Sequence, residues 1–462
     1  MKLACALLGP VLCVWLSGCH AADRESKLRS AFHTKTGHIV VPEGATELHA
    51  PLEFEAGAHD IDVRGASSAS ILKLADDFKG KAAIIGAGVK NIRIEGFQII
   101  GNRRELKSAL YLPGSSTRFI DYYDRNGIVF LDSEGIAISG VSLKNISDFA
   151  ILITHSTAVN ITAVTIEDSG TLDSRGLSNT TGGILLEQGT TNFTVTECHI
   201  RSVTGNGIWT HSTADAPRNQ DGRISGNEIW ETPRDAIQVG HAARIQVLDN
   251  SGGQIGFPVD QVDLPAQATP VAVDSAGNVS ESVYSGNHFE DVDGQCIDLD
   301  GFHDGQVLNN SCVNRKGAAD YPLSHVGIVF GNSNPEMTSR NVVLSGNLIQ
   351  GFGYGAVYLI GEGQQVSGNR FVDVNRNHCT GDMRVPRCGY APEEPGMLRS
   401  GIYLASHAAR PADTKGNKIS GNYISGFGMD KWCVAAGPGV ASQSNQIGNN
   451  TCVTATQEPG AR

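Results

Sequence analysis

The residues of this sequence best spaced for acid–base chemistry are two aspartates, Asp298 and Asp300. They alternate with Ile297 and Leu299 in a short segment typical of a β-strand. Alternate residues of a strand point to the same side, so the two carboxyl groups share a face, with Cα atoms about 6–7 Å apart. Two carboxyl groups at this separation suit the acid and the base, or the acid and the nucleophile, that cleave a glycosidic bond. Their mutual repulsion raises one pKa and leaves that group protonated as the general acid.

The Asp298 segment is one copy of a short phrase that returns ten times: a small residue, then Ile or a similar residue, a variable residue and usually an apolar one. The copies begin at Gly127, Ala150, Gly183, Gly207, Ala236, Cys296, Gly327, Gly355, Gly401 and Cys433. So many copies predict a solenoid, in which residues at equal offsets stack in columns.

A second marker, Ser-Gly-Asn or a shorter variant, sets the length of one coil. Asn227 and Asn250 are 23 residues apart, Asn287 and Asn310 are 23 apart, and Asn347 and Asn369 are 22 apart. A coil of this length with several short strands is typical of a parallel β-helix. We therefore predict an all-β, single-domain right-handed parallel β-helix of about ten or more coils over residues 36–462, with a short capping helix from Asp23 to Phe32. Insertions at 103–126, 168–182, 212–222, 251–284, 376–400 and 407–417 are expected to project as loops.

If the Ile of each phrase points inward, the next residue and the third residue after the Ile point outward. The first outward column is Val129, Leu152, Leu185, Trp209, Gln238, Asp298, Val329, Val357 and Tyr403. The second is Leu131, Thr154, Glu187, His211, Gly240, Asp300, Gly331, Leu359 and Ala405. Ionisable and polar residues are concentrated in the middle coils, which predicts a reactive stripe there.

The two outward columns suggest a role for each polar residue in the middle coils. His211 is expected one coil above Glu187, and His241 is expected near Asp300. Asp298 and Asp300 are the predicted acid and base or nucleophile, and Asp235 and His241 are predicted to tune them. The predicted sugar-binding residues are Glu187, Trp209, His211, Arg234 and His303; Trp209 offers a flat apolar face for a pyranose ring.

Two other interpretations of the acidic residues remain open. In the first, Asp298 and Asp300 only close a turn. Alternatively, Asp293, Asp298, Asp300 and Asp304 form a calcium site, because calcium takes several carboxylate oxygens. Apart from that calcium, no cofactor is required by the predicted chemistry.

The N-terminus predicts export. Lys2 precedes an apolar run from Leu3 to Leu16, which is typical of a secretory signal over residues 1–18. Leu16-Ser17-Gly18-Cys19 resembles the bacterial lipobox, which implies lipidation of Cys19, a linker and capping helix over 19–35, and a cell-envelope location at the outer membrane or periplasmic face; an ordinary cleaved signal and a secreted protein are the alternative. The lipid would be the only membrane contact.

An exported protein is free to oxidise its cysteines. The predicted pairs are Cys296–Cys312, Cys379–Cys388 and Cys433–Cys452, with Cys198 left as a buried apolar residue. The formal net charge of −12 argues against nucleic acid as a partner. Oligomeric state is left open by the sequence.

The Ile-x-apolar strands and Gly-Asn turns over roughly residues 36–452 resemble the right-handed parallel β-helix superfamily that includes pectate lyases and polygalacturonases. The resemblance implies a stacked asparagine ladder and a carbohydrate substrate. Polygalacturonases carry Asn-Thr-Asp, Asp-Asp, Gly-His-Gly and Arg-Ile-Lys motifs; here Arg234-Asp235, Val239-Gly240-His241 and Asp298 with Asp300 supply similar side chains, and Arg-Ile-Lys does not occur. The prediction is thus a glycoside hydrolase acting on a polysaccharide or oligosaccharide. A calcium-assisted polysaccharide lyase and a non-catalytic glycan-binding or structural envelope protein are the alternatives.

Overall fold

The chain winds into a rod of stacked coils, each built from short parallel strands. The computed structural model describes residues 24–103, 113–114, 116–264, 269–332, 337–382, 384–389, 394–406, 410 and 412–455. Hydrogen bonds divide the strands into one sheet of 27 and one of 14, all paired in parallel. The larger sheet bends along a corner, and we name its two sides sheet 1 and sheet 2; the smaller one is sheet 3.

Sheet 1 carries the returning phrase. Its strands are Leu52–Glu53, Ala82–Ala87, Asn126–Leu131, Phe149–Thr154, Gly182–Glu187, Ile208–His211, Ile237–Leu248, Val271–Ser280, Gln295–Asp300, Ile328–Gly331, Val357–Leu359, Ile402–Leu404 and Val434–Ala436. Two of them, Ile237–Leu248 and Val271–Ser280, continue around the corner into sheet 2.

Sheets 2 and 3 close the coil. The other strands of sheet 2 are Gly37–Val41, His59–Gly65, Lys90–Glu95, Glu134–Ser139, Thr157–Thr162, Thr191–Thr196, Asn219–Ser225, Val283–Ser285, Phe302–His303, Gln306–Leu308, Val343–Ser345, Gln365–Ser367, Lys418–Ser420 and Gln446–Gly448. Sheet 3 contains Gly44–Leu48, Ser70–Leu74, Gln98–Ile100, Ser142–Lys144, Thr165–Glu167, His199–Arg201, Glu228–Thr232, Ser251–Ile255, His288–Val292, Ser311–Val313, Leu348–Gln350, Arg370–Val374, Tyr423–Gly426 and Thr451–Thr454.

Helices are few and short among the described residues. Residues 24–32 are helical, and the other segments are Phe119–Tyr122, Val259–Gln261, Ala318–Asp320, Pro386–Cys388, Gly396–Arg399 and Ser442–Ser444. Helix 24–32 buries Leu28 and Phe32 on the first coils, where the Phe32 ring lies 4.9 Å from that of Phe54. This confirms the predicted capping helix. Within the part of the chain that the structure describes, no helix is long and apolar enough to cross a bilayer.

The core is a column of inward Ile and Val side chains, which the phrase predicts. Ile184, Ile208, Ile237, Val273, Ile297 and Ile328 are paired in register on successive coils and are buried. β-Branched residues pack well on the pleated surface of a strand. Each coil is too thin to bury its core face alone and buries it against the neighbouring coils. The all-β solenoid is therefore confirmed, and its hydrophobic core runs the length of the rod.

Two parts of the sequence-based register are wrong. Residues 251–284 do not form one loop, because Val271–Ser280 is a strand of sheet 1 and adds a coil to the map. Near the C-terminus Val357, not Ala356, pairs with Ile328, so Tyr358 points outward in place of Val357. The apolar run from Ala356 to Ile360 leaves the period of two ambiguous, and a slip of one residue exchanges the two faces.

Asparagines, all of them buried except the last, form the predicted ladder between sheets 2 and 3. The members are Asn227, Asn250, Asn287, Asn310, Asn347, Asn369, Asn422 and Asn450. Each side-chain amide donates to the Oδ1 of the next asparagine over 2.7–3.0 Å. The same amides also donate to backbone carbonyls, so their buried polar atoms are satisfied.

Replacing Asn310 by Ala is expected to lower the free energy of unfolding by about 2–4 kcal/mol, because it leaves several buried groups without partners. The Asn310 Oδ1 accepts from the backbone N and the side-chain amide of Asn287, and the Asn310 amide donates to Tyr284 O and Asn347 Oδ1. Denaturant unfolding measures the change. Asn160→Ala is the control, since Asn160 is exposed and accepts a bond from Thr194 Oγ1; equal losses in both variants would contradict a stabilising ladder.

The three expected cysteine pairs are joined in the structure, Cys296 to Cys312, Cys379 to Cys388 and Cys433 to Cys452. Cys198 is free and buried. The predicted signal segment 1–18 and Cys19 lie outside the described residues, so export and lipidation stay predictions.

Candidate functional site

Three aspartates stand on two neighbouring strands of sheet 1, facing outward. Asp274 and Asp298 are register partners on adjacent strands, and Asp300 lies two residues beyond Asp298 on the same side. Neighbouring parallel strands are about 4.8 Å apart, which brings the carboxyl groups of Asp274 and Asp298 side by side. Gln238 precedes Asp274 in this column and Val329 follows Asp298. We name these four positions, Gln238, Asp274, Asp298 and Val329, the acidic window.

A fourth aspartate, Asp235, lies where the preceding strand begins. Its Oδ1 accepts a hydrogen bond from the backbone N of Val271 over 3.0 Å, which ties it to the strand that carries Asp274. Arg234 Nε lies 3.6 Å from Asp235 Oδ2, and the Arg234 guanidinium carbon lies 5.2 Å from the centre of the Trp209 ring. Asp235 thus supplies a buried negative charge beside the acidic window.

A chain of amide groups holds Asp274 in place. Asn206 Nδ2 donates to Gln238 Oε1 over 2.7 Å, and Gln238 Nε2 donates to Asp274 Oδ2 over 2.5 Å. Amides do not titrate near neutral pH, so this relay orients the carboxyl group without exchanging protons with it. By contrast, the buried Oδ1 of Asp298 has no hydrogen-bond partner among the described residues, although the residue as a whole is partly exposed.

Burial and mutual repulsion favour the protonated forms of these carboxyl groups. The pKa of Asp298 is raised well above its usual value by burial and then by the charges of Asp300 and Asp235. The pKa of Asp274 is raised in the same way, by burial first and then by Asp235 and Asp298. Burial also raises the pKa of Asp235 to about 6, although Arg234 opposes this rise. The cluster therefore keeps protonated carboxyl groups at a pH where ordinary aspartates are ionised.

Asp274 is a residue of the site that is absent from the outward columns predicted from the sequence. The sequence places it in the loop 251–284, but Ala272-Val273-Asp274-Ser275 begins with a small residue followed by a β-branched one, as most copies do. An insertion lengthens this coil, so that Asn250 and Asn287 are 37 residues apart and the copy falls outside the period of 22–23 residues. Aligning Val273 with Ile237 and Ile297 places Asp274 in the column of Gln238 and Asp298, as the pairing confirms.

Glu187 and His211 are neighbours on adjacent coils, as predicted, but both face a covering loop. The carboxylate of Glu187 is buried and accepts the backbone N–H groups of Phe119 and Ile120, each over 2.9 Å, at the start of helix Phe119–Tyr122. The His211 ring stacks on Phe119 with centroids 4.3 Å apart. In this arrangement Glu187 anchors the loop, which differs from the predicted contact with a sugar.

The same loop covers Trp209. The Phe119 ring lies edge-on to it with centroids 5.0 Å apart, and Arg234 lies over the indole. Only 6% of Trp209 is exposed, so it does not present the predicted open face for a pyranose ring. Trp209 instead forms one end wall of the acidic window.

Replacing Glu187 by Ala is expected to release the loop, because two buried N–H groups lose their acceptor at a local cost of about 2–4 kcal/mol. Trp209 should then become accessible, which a red shift of tryptophan fluorescence and faster proteolysis near residues 119–122 would report. Glu187→Gln keeps one acceptor oxygen and should give a smaller change. Identical proteolysis of the Ala variant and the parent protein would show that the loop is held by other contacts.

His241 and His303, the other two histidines predicted to act at the site, lie away from the acidic window. A further coil separates His241 from the strand of Asp300, so the predicted proximity is wrong. The pKa of His241 is lowered by burial and then by the charge of Arg218 in the 212–222 loop. His303 contacts Asp304 Oδ2 at 2.8 Å and Asn278 Oδ1 at 3.0 Å in the turn toward sheet 2.

The residues predicted to bind calcium do not converge. Asp293 Oδ1 accepts from the backbone N of Leu323, and Asp304 is paired with His303, Arg340 and Asn341. Within the described ranges, no group of three or more His, Cys, Asp or Glu side chains has a geometry that would hold a metal ion. Of the predicted set, Asp298 and Asp300 share the acidic face of sheet 1.

A cavity of about 460 Å³ lies on another part of the rod, near sheet 3. Its lining includes Asp168, Glu231, Gln254, Phe257 and Pro258. The pKa of Glu231 is lowered by its bonds to Arg201 and then to Ser202, so this carboxylate stays ionised and lacks the proton that an acid catalyst needs. The acidic window is the stronger candidate site.

Comparison with known proteins bears on the architecture. A family model described as "Right handed beta helix region" matches residues 82–254. The chain is a right-handed parallel β-helix. No curated protein sequence matches it.

Several solved structures share the β-helix. PfbA, a surface adhesin of Streptococcus pneumoniae, is 13% identical over 76% of this chain and 87% of its own, with a TM-score of 0.52. DFA-IIIase from Arthrobacter chlorophenolicus A6, solved in complex with GF2, is 12% identical over 93% and 92%, with a TM-score of 0.51. The catalytic unit of a GH87 α-1,3-glucanase from Streptomyces thermodiastaticus strain HF3-3 is 14% identical over 95% and 69%, with a TM-score of 0.50. At these identities the likeness concerns the fold, and function rests on the site.

Proposed function

We propose that this β-helix is a carbohydrate-active enzyme, a glycoside hydrolase whose reaction centre is formed by Asp274, Asp298 and Asp300. The observation that carries the proposal is the outward cluster of these carboxyl groups on adjacent strands, with burial raising the pKa values of Asp274 and Asp298. A glycosidase needs one carboxyl group that is protonated and a second one that accepts a proton or attacks carbon.

Asp298 is the proposed proton donor. Its buried Oδ1 has no partner within the described residues, and its raised pKa keeps the proton available. In the proposed step Asp298 transfers this proton to the glycosidic oxygen while the bond from that oxygen to the anomeric carbon breaks. Asp300, on the same face, removes a proton from the attacking water or attacks the anomeric carbon itself. Asp274, held by Gln238, is the neighbouring carboxyl group, and the charge of Asp298 helps to raise its pKa.

A screen of defined glycans tests this proposal. The full chain is incubated with α-1,3-glucan, inulin, polygalacturonate and alginate, and with their oligosaccharides, in isotopically labelled water. Hydrolysis is expected to add one labelled oxygen for each bond broken, which mass spectrometry detects. Absence of released product from every glycan would overturn the proposal.

The same screen separates the two alternatives. A lyase removes a proton beside a uronate carboxylate and yields an unsaturated product that absorbs ultraviolet light and contains no label. Arg234 lies beside Asp235 and is already paired with it, so a base and a neutralising cation for elimination are less well supplied than a proton donor. A purely glycan-binding protein would retain its ligand and release no product.

A further inference from the structure

The acidic window is short because loops cover the outward face of sheet 1 on both sides of it. On the N-terminal side, Val129, Leu152 and Leu185 occupy the same column and are completely buried. They pack with Phe119, Ile120 and Tyr123 of the loop that contains helix Phe119–Tyr122. The column is therefore closed up to and including Trp209.

This first wall is anchored at both ends of the short helix. Glu187 accepts the two N–H groups at its start, and the buried Tyr123 hydroxyl at its other end bonds to Asn179 Oδ1 over 3.0 Å and to Thr180 Oγ1 over 2.5 Å. Buried hydrogen bonds of this kind cost free energy to break, so we expect the wall to stay in place when a ligand arrives.

A second wall closes the C-terminal side. Tyr358 and Tyr403 follow Val329 in the column, with ring centroids 6.1 Å apart, and only 7% and 3% of them is exposed. The Tyr358 hydroxyl donates to Glu394 Oε2 over 3.0 Å. Helix Gly396–Arg399 packs directly on Tyr403, because a Cβ added at Gly396 would lie 2.5 Å from the Tyr403 ring.

The side of the window next to sheet 3 is also closed. Asp235 lies just before the strand that carries Gln238, Gln295 is the first residue of the strand that carries Asp298, and both are buried. Partial exposure among the described residues is instead found on Asp298, Asp300 and Val329, and on Ala276 and Gly331 toward sheet 2. The opening thus has walls on three sides and one mouth.

From this geometry, and resting on the proposed function, we infer that the enzyme acts on the ends of glycan chains or on short oligosaccharides, and does not cut in the interior of a long chain. Trp209 and Tyr358 are five strands apart in the column, about 24 Å between Cα atoms at 4.8 Å per step. The walls occupy part of that length, so only a few sugar rings fit. A polysaccharide lying along the rod would collide with Phe119 at one end and with Glu394 and helix Gly396–Arg399 at the other.

The test follows the size of the first products. The full chain is given long inulin, α-1,3-glucan, polygalacturonate and alginate, and the corresponding oligosaccharides of two to eight residues, of which those with a reducing end are labelled there. We expect one small product size from the earliest times, stepwise shortening of the oligosaccharides, and solution viscosity that falls only late. A ladder of long fragments in the first few per cent of hydrolysis, or an early collapse of viscosity, would overturn the inference while leaving the proposed hydrolase intact.

An Asp298→Asn variant is run in parallel to link the products to this site. It should release products at least about 100-fold more slowly from every glycan that the parent protein cleaves. If the variant releases the same products at the parent rate, or if neither protein cleaves any glycan, the proposed function fails and the inference fails with it. The outcomes therefore distinguish a failure of the inference about where in a glycan chain the enzyme cuts from a failure of the proposed hydrolase activity.

Discussion

Asp298→Asn is expected to lower the rate of glycan hydrolysis at least about 100-fold, because asparagine has the shape of the protonated acid but cannot transfer its proton. Asp300→Asn should cause a loss of similar size, since an amide neither activates water nor attacks carbon. Both residues are only partly buried and face outward, so the substitutions should leave the melting temperature nearly unchanged. Rates are measured on whichever glycan the product screen identifies.

Two controls sharpen this experiment. Asp413→Asn removes an exposed aspartate that is paired with Lys415 and should keep the parent rate. Added azide should restore the Asp300→Asn rate only if Asp300 acts as nucleophile or base, and the anomeric configuration of the azide product would distinguish these two roles. Full activity in both aspartate variants would remove Asp298 and Asp300 from the mechanism.

The second large effect concerns pH. Asp235→Asn is expected to lower the rate by up to about tenfold on the alkaline side of the pH profile, because loss of a neighbouring negative charge lowers the pKa of the proton donor. The charge of Asp235 raises the pKa values of both Asp274 and Asp298. Without that charge the proton donor ionises at lower pH, and the alkaline limb of the profile moves toward acid.

The difference in rate between the Asp235→Asn variant and the parent protein should disappear at low pH. The pKa of Asp235 is raised to about 6, so below this pH the residue is largely neutral in the parent protein, and the variant should match it. Profiles of kcat/KM for the two proteins should therefore converge at low pH and separate above about pH 6. An alkaline limb that stays fixed, or one that moves to higher pH, would contradict the assignment of Asp298 as the acid.

The fold was predictable because its signal is local and repeated. Each returning Ile, such as Ile184 or Ile208, reports on a neighbouring coil by its own spacing, and a stack of coils needs no other long-range information. The regular spacing of asparagines likewise predicted their ladder, and the alternation of residues along a strand placed Asp298 and Asp300 on one face. Asp274 was missed because its coil contains an insertion that separates Asn250 from Asn287 by 37 residues and takes its copy of the phrase out of the regular period.

The covering of the site was not predictable from spacing. Glu187 lies 68 residues from Phe119 in the sequence, and their hydrogen bond depends on how a loop folds back over sheet 1. Periodicity shows that Glu187 points outward, but it does not show whether water, sugar or another part of the chain meets it. Loops of irregular length are where such information is absent, and they decide which outward residues become a site.

The asparagine ladder has a further consequence for the reaction centre. Asn287 and Asn310 end the sheet 2 segments of the same two coils that carry Asp274 and Asp298, and their side chains are joined at 2.7 Å. The ladder thus holds the two coils together at a corner of the rod away from the carboxyl groups. It helps to fix the distance between Asp274 and Asp298, whereas the distance between the proposed acid and base, Asp298 and Asp300, is set along one strand. Asparagines that no substrate touches therefore help to hold Asp274 in place beside the proton donor.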